Sequence, residues 1–393
     1  MIRNTPGLSD KIAAIEAFTQ TVQKNKSTIT NGTGSSGSQL PSIITIPVVV
    51  HIIYNTPAQN ISDEQVMSQI NSLNKDYTRQ NADTNSTPLV FRPFAANCGF
   101  QFALAKVDTA GYATSGIVRK QTGVAAFNIN DDIKFSSSGG DDGWDKDRYL
   151  NIWVGNLTAG ILGYSSVVGG PKENDGVVVL YSAFGVGGSA VSPFNLGRTA
   201  THEIGHWLNL IHTWGDAACG DDLVADTPPQ ETADYGCPNG ILISCNNAPN
   251  GDMYTNYMDF TNDNCMNIFT NGQHARMQAL FEAGGERNAI LSSNALTAAP
   301  LESATVSTLN TEPPAQKFSI YPNPATTTVY LQIPEEAATG ALVEFYNQVG
   351  QKVLTTSINQ LVTPLDLSSL AKGMYFIKIT QGANKTVAKL IKI

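Results

Sequence analysis

His202-Glu203-Ile204-Gly205-His206-Trp207-Leu208-Asn209-Leu210-Ile211-His212 holds three of the five histidines of a 393-residue chain. On a helix, residues four apart lie one above the other, so His202 and His206 present their imidazoles to one point, with Glu203 beside them. His212 lies too far along to share that face if the helix continues. The backbone therefore has to break between them, and Asn209 is the candidate breaker. After glycine, asparagine is among the residues that best tolerate the left-handed conformation that ends a helix. A turn there swings His212 back to the same point. Three neutral imidazoles and one open position for water form the donor set of a catalytic zinc ion, whereas a closed structural site uses a fourth protein ligand. Two histidines at this spacing also arise by chance on a helix surface, and it is the third that lifts the pattern above that reading.

Outward from this helix, which the pattern places at about Arg198 to Leu210, the chain reads as mixed α/β. Strand-like runs occur at Thr45–Tyr54, Phe100–Val107, Tyr149–Val154, Ile161–Val168 and Gly176–Tyr181. A helix from Asp63 to about Gln80 carries Val66, Ile70, Leu73 and Tyr77 on one face, with Ser62 and Gln65 as its capping box. From Trp214 to Phe269 the chain is irregular and rich in Asp, Asn, Pro and Cys, too long for an unsupported connection, so bridges or ions must organise it. A short helix from Asn271 to about Glu282 closes the domain. Residues 1–44 read as a propeptide-like segment, an amphipathic helix at Leu8–Asn25 followed by a Ser/Thr/Gly linker at Ser27–Gln39. Residues 45–283 form the α/β (α+β) catalytic domain with its long irregular C-terminal subdomain. Residues 284–316 lose periodicity as a linker does, and 317–393 alternate in short runs as an all-β sandwich does.

Composition bounds what this architecture can serve. Apolar residues make up 41% and charged residues 15%, the balance of a globular protein. The net charge of -9 and the lack of a dense Lys/Arg face argue against nucleic acid as a partner. No stretch reaches the roughly 20 apolar residues that span a bilayer, so no transmembrane segment is expected. Cys219, Cys237, Cys245 and Cys265 crowd into the irregular stretch without close C-x-x-C pairs, which favours two disulfides and an oxidising, extracellular setting over a zinc site. Four cysteines allow three pairings, and spacing does not choose among them. Cys98 stands alone and is expected to be a buried free thiol. The first residues lack an apolar signal-peptide core, so an export signal is expected to be absent from this chain.

The histidine stretch resembles the H-E-x-x-H-x-x-G-x-x-H motif of metzincin metallopeptidases, with Asn209 in the place of the glycine. Asn256-Tyr257-Met258-Asp259 resembles their Met-turn, in which Met258 floors the metal site. Thr213-Trp214-Gly215-Asp216, Asp226-Thr227-Pro228, Cys265-Met266 and Gln273 to Met277 are similar to the pappalysin family within the metzincins, and the likeness covers about Thr45 to Phe281. The resemblance implies a zinc endopeptidase acting on protein and peptide substrates, with His202, His206 and His212 as zinc ligands and Glu203 as general base. It also implies the bridges Cys219–Cys245 and Cys237–Cys265. It places Asp263 at the base of the pocket for the residue just after the scissile bond, which favours cleavage before Arg or Lys; the plainer reading is that Asp263 caps a turn. Phe260 stands where relatives often carry a tyrosine, so no residue is assigned to that tyrosine's role.

Asp222, Asp226 and Thr227 are candidates for a structural calcium site, as the family implies, against the alternative of a solvated acidic loop. Asp141, Asp142, Asp145 and Asp147 are expected to form a solvated turn. Ser319-Ile320-Tyr321-Pro322-Asn323-Pro324 and Leu370-Ala371-Lys372-Gly373-Met374-Tyr375 resemble the C-terminal sorting domain of type IX secretion, implying a secreted or cell-surface protein whose partner is that machinery. Zymogen latency is implied too, but no cysteine precedes Cys98, so it would need another ligand or steric blockage. The rival reading is a secreted adhesion protein with an inactive metzincin-like domain, and the intact Glu203 argues against it.

Overall fold

The computed structural model describes residues 7–30, 40–297, 319–321, 323, 325–332, 341–347, 351–358, 360, 362–381 and 384–392. Backbone contacts divide the chain into two units, Met1–Ser303 and Ala304–Ile393.

The first unit is organised by β1 (Ile44–Tyr54), whose run of Val and Ile is apolar on both faces. A mostly parallel sheet covered on both sides requires such a strand. Ile46, Val48, Val50 and Ile52 face the main core, with Val66, Ile70 and Leu73 of α2 (Asp63–Tyr77) and Ala200 and Ile204 of α3 (Arg198–Trp207). Ile53 points the other way, into a second core with Phe127, Trp153 and Val178. One edge of β1 pairs in succession with β2 (Phe100–Leu104) and β3 (Ile117–Gln121), the other with β4 (Leu150–Gly155). β5 (Gly163–Ser165) and β6 (Val177–Leu180) complete the order β2-β1-β4-β6-β5, with β5 antiparallel at the edge.

Several expectations are corrected in detail. β3 was not anticipated: Ile117-Val118-Arg119-Lys120-Gln121 is only partly buried and alternates weakly. Ser62 does cap α2 through the Gln65 amide at 3.2 Å, but Gln65 does not close the box. Its amide group reaches instead to the Phe184 carbonyl at 2.8 Å and the Ser189 amide at 2.9 Å. Residues 284–297 are not the linker expected there but part of the first unit, because Arg287, Ile290 and Ala295 are buried and the Ala295 carbonyl accepts from Lys106 and Val107. Its residues 298–316 lie outside the described ones. Asp141 does not sit in a merely solvated turn: its carboxylate bonds Nδ1 of the buried His51 at 2.8 Å.

The N-terminal helix α1 (Leu8–Thr30) runs beyond Asn25. It is tied to the catalytic unit by Glu16–Arg276, Lys11–Glu286 and Lys26–Glu282 ion pairs. Residues 31–39 of the expected linker lie outside the described ones. In the irregular stretch the structure pairs Cys219 with Cys245 and Cys237 with Cys265, Cα atoms 5.6 and 5.7 Å apart. Cys98 is a buried free thiol whose pKa burial pushes up.

The second unit is a β-sandwich. A three-stranded sheet joins β9 (Ser319–Tyr321), β10 (Thr328–Gln332) and β13 (Val362–Asp366). A four-stranded sheet joins β11 (Ala341–Tyr346), β12 (Lys352–Ile358), β14 (Gly373–Gln381) and β15 (Asn384–Lys392). Alternate residues Val329 and Leu331, Val343 and Phe345, and Ile377 and Ile379 fill its core.

Candidate metal centre

α3 begins after Gly197, which adopts φ 83°, and Asp263 Oδ2 accepts from the amides of Leu196 at 2.7 Å and Arg198 at 3.3 Å. The helix carries His202, Glu203 and His206 and ends at Trp207. Asn209 then takes φ 70°, and the Leu210 amide closes back on the Gly205 carbonyl at 2.9 Å. This is the left-handed break that the spacing of the histidines demands. It returns His212 to the helix face, so that Nε2 of His206 lies 3.1 Å from Nε2 of His202 and 3.0 Å from Nε2 of His212.

The opposite ring nitrogens decide what this cluster is. His202 Nδ1 donates to the Tyr257 carbonyl at 2.7 Å and His206 Nδ1 to the Leu210 carbonyl at 2.9 Å, while His212 Nδ1 donates to Asp216 Oδ1. Each neutral ring therefore carries its proton on Nδ1 and turns a lone pair on Nε2 toward the other two. Burial lowers the pKa of all three rings, that of His212 to about 3, and so opposes relief of the repulsion by protonation. Three convergent lone pairs in a desolvated site fit a divalent cation, which also suits their open, three-ligand geometry. Among the described residues this is the one group of three or more His, Cys, Asp or Glu side chains able to share an ion.

The floor and the flank of the site are set by two glycines. Met258 is fully buried beneath the helix, where a Cβ on Gly205 would collide with its Sδ. On β5, a Cβ at Gly163 would fall 2.9 Å from Glu203 Oε1, so only glycine leaves that carboxylate its place. Burial raises the Glu203 pKa to about 8, opposed by the buried Lys134. A cation held by the neighbouring histidines would favour the carboxylate form again, the form that can take a proton and later return it.

Behind the histidines lies a polar support that periodicity did not reveal. Asp76, on the buried face of α2, accepts from Thr201 Oγ1 at 2.8 Å and from the Tyr257 hydroxyl at 3.0 Å, and pairs with Arg198 Nε at 3.2 Å. Thr201 precedes His202, and the Tyr257 carbonyl is the group that orients the His202 ring. Burial raises the Asp76 pKa to about 6, against the pull of Arg198. The available signal was a carboxylate at a core position of an amphipathic helix, a place where charge has to be paired.

The remaining candidates are placed as follows. Asp222 accepts from Thr227 Oγ1 at 2.7 Å and lines a cleft of about 350 Å³ with Thr213, Asp221 and Thr227. Burial raises its pKa to about 7. Asp226 instead accepts from Thr270 Oγ1 at 2.6 Å and the Gly272 amide at 2.8 Å, at the start of α4 (Asn271–Ala279). Asp263 is 1% exposed, and burial raises its pKa. Phe260 lies against the rings of His202 and His212, at 5.5 and 4.9 Å between centroids.

Asp76→Asn should weaken zinc binding by about tenfold or more, the scale on which groups behind metal ligands act. Competition with a chromogenic chelator measures it, and an unchanged affinity would contradict the support assigned to Asp76.

Comparisons with known proteins agree with this geometry. Residues 134–282 match the family described as pregnancy-associated plasma protein-A, a peptidase family, and residues 319–393 match the secretion system C-terminal sorting domain. An extracellular metalloprotease of Pyricularia oryzae is 32% identical over 253 residues, 61% of this chain and 76% of the relative. Mirolysin, solved in complex with compound 9, is 48% identical with a TM-score of 0.63, covering 65% of this chain and 99% of that one. A promirolysin mutant of Tannerella forsythia is 44% identical with a TM-score of 0.67, covering 74% of this chain and 94% of that one. The chain is thus a secreted or cell-surface metallopeptidase of metzincin fold, and it belongs to the pregnancy-associated plasma protein-A family, the pappalysins.

Proposed function

We propose that this protein is a zinc-dependent endopeptidase that cuts extracellular proteins and peptides before Arg or Lys. The observation that carries the reading is the convergence of three Nε2 lone pairs beside a buried carboxyl group, Glu203. His202, His206 and His212 would hold the zinc ion. When bound there, zinc polarises the scissile carbonyl and lowers the pKa of a bound water from about 15.7 towards about 7. Glu203 takes the proton of the attacking water on its carboxylate and returns it to the departing amine, one group serving as base and then as acid. The Tyr257 and Leu210 carbonyls and Asp216 keep the three rings aimed while charge shifts. Retention of Glu203 favours this over an adhesion protein with an inactive domain.

Specificity for a basic residue rests on Asp263. Its carboxylate is buried, close to the helix that carries the histidines, and a guanidinium meeting it would relieve the cost of that burial. Its bonds to the backbone of α3 also support the plainer role as a cap. A calcium ion at Asp222, Asp226 and Thr227 is the second metal of this reading, supported by a buried Asp222 carboxylate beside an open cleft. Because Asp226 caps α4, backbone carbonyls and water would complete that shell. The C-terminal sandwich would deliver the chain to the type IX secretion machinery. Among the described residues no helix is long and apolar enough to cross a membrane.

Glu203→Gln should abolish peptidase activity and keep near-stoichiometric zinc, since it removes the proton acceptor and no metal ligand. Elemental analysis beside a casein assay decides it, and appreciable turnover by the variant would refute the assignment.

Sequencing the products from one peptide library should show Arg or Lys enriched directly after the cut. Asp263→Ala should reduce that cleavage by more than about tenfold, the effect of stripping one side from a buried charge pair. A wild-type profile without basic enrichment there would remove Asp263 from the pocket.

A further inference from the structure

The irregular half of the catalytic unit presents an aromatic surface that peptide-bond hydrolysis itself does not use. Tyr235 and Phe260 are register partners in a short parallel ladder, β7 (Tyr235–Gly236) with β8 (Phe260–Thr261), so their side chains stand next to each other. The ladder is held at both ends. Beyond it the Cys237–Cys265 bridge joins the two strands, and the Asn262 amide donates to the Gly236 carbonyl at 2.8 Å. Before it the buried Asp259 accepts on Oδ1 from the amides of Asp234 at 2.9 Å and Phe260 at 2.8 Å, while Gln230 Nε2 donates to Oδ2 at 2.9 Å.

On this fixed base the rings remain open to solvent: Phe260 is 38% and Tyr235 71% exposed. Phe260 meets Trp214 edge-on at 4.9 Å and Tyr235 at 6.1 Å, and Trp214 stacks on His212 at 4.3 Å and 4°. The aromatic surface therefore starts on the imidazoles of His202 and His212 and extends outward over Trp214, Phe260 and Tyr235. Single exposed apolar side chains are ordinary, but a contiguous aromatic group bordering a polar site marks a place where something apolar is received. A rigid surface loses little entropy on receiving it.

We infer that Phe260 and Tyr235, backed by Trp214, form a subsite for a bulky apolar or aromatic side chain of the peptide substrate, on the amino side of the scissile bond. The inference rests on the peptidase reading above. Its occupant follows from position: a surface that touches two of the proposed metal ligands lies within reach of residues next to the bond being cut. The side follows from Asp263: it is assigned the residue after the bond and its carboxylate turns to the amides of Leu196 and Arg198, whereas the Phe260 ring turns to His202, His212 and Trp214, which leaves the aromatic surface for a residue before the bond.

The test uses the zinc-loaded full chain and peptides that share Arg after the cut. At each of the three positions before it they carry Ala, Glu, Leu or Phe. The wild type should prefer Phe or Leu over Ala at one of these positions by about tenfold in kcat/KM, the usual reach of one apolar side chain in a pocket. Phe260→Ala and, independently, the more exposed Tyr235→Ala should each bring that ratio down toward one. A ratio cancels any general loss of activity in either variant. A wild type without the preference, a preference found only after the cut, or variants that both retain it would overturn the subsite. In each of those cases the Ala peptides would still be cleaved, leaving the peptidase reading intact. Failure of the wild type to cleave any peptide would remove both.

Discussion

Three imidazole lone pairs aimed at one point repel one another unless a cation lies between them, and most of the catalytic unit serves to hold them there. The arrangement needs a helix for His202 and His206, a sharp reversal for His212, and acceptors that pin each proton on Nδ1. Each requirement has a named group: α3, the left-handed Asn209, and the Tyr257 and Leu210 carbonyls with Asp216. Burial removes the alternative of protonating the rings, because the charged form loses its hydration. The geometry is thus paid for in folding free energy and recovered when a metal binds.

That cost is distributed over buried polar contacts between elements distant in sequence. Arg276 donates through Nε to the Asn209 carbonyl at 2.6 Å and is itself held by both carboxylate oxygens of Glu16 from α1, at 3.0 and 2.5 Å. The reversal before His212 is therefore braced from the N-terminal helix. Just before the reversal, at the last residue of α3, Asp175 receives Trp207 Nε1 and Arg287 Nη1, each at 2.8 Å, with the Arg287 guanidinium 3.9 Å above the Trp207 ring. Arg287 lies in the stretch expected to be a linker, and its burial explains why the catalytic unit extends past Phe281. Charges so deeply placed are tolerated only because each has a partner.

The sequence was legible where one short-range rule decides the outcome. Residues four apart share a helix face, so His202 and His206 converge; asparagine tolerates positive φ, so Asn209 turns the chain. The buried face of α2 and the apolar run of β1 follow from periodicity in the same way. Long-range roles were not legible. Gln65 looks like the second half of a capping box, but buried carbonyls and amides of the 184–189 loop compete for its side chain. Asp226 is a candidate calcium ligand by type, and no local pattern reports that both its oxygens also serve the start of α4. Asp76 and Gly163 matter only through what the fold sets against them, and no local pattern reports that. The disulfide pairing came from family resemblance, since spacing leaves three pairings open.

X-ray absorption spectroscopy at the zinc edge of the metal-loaded protein tests the central claim most directly, because it reads the ligand set without relying on activity. Three imidazole nitrogens and one water oxygen, all at about 2.0–2.1 Å, are the result expected of His202, His206 and His212 with one open position. A sulfur ligand at about 2.3 Å, or a shell with fewer than three imidazoles, would contradict the account.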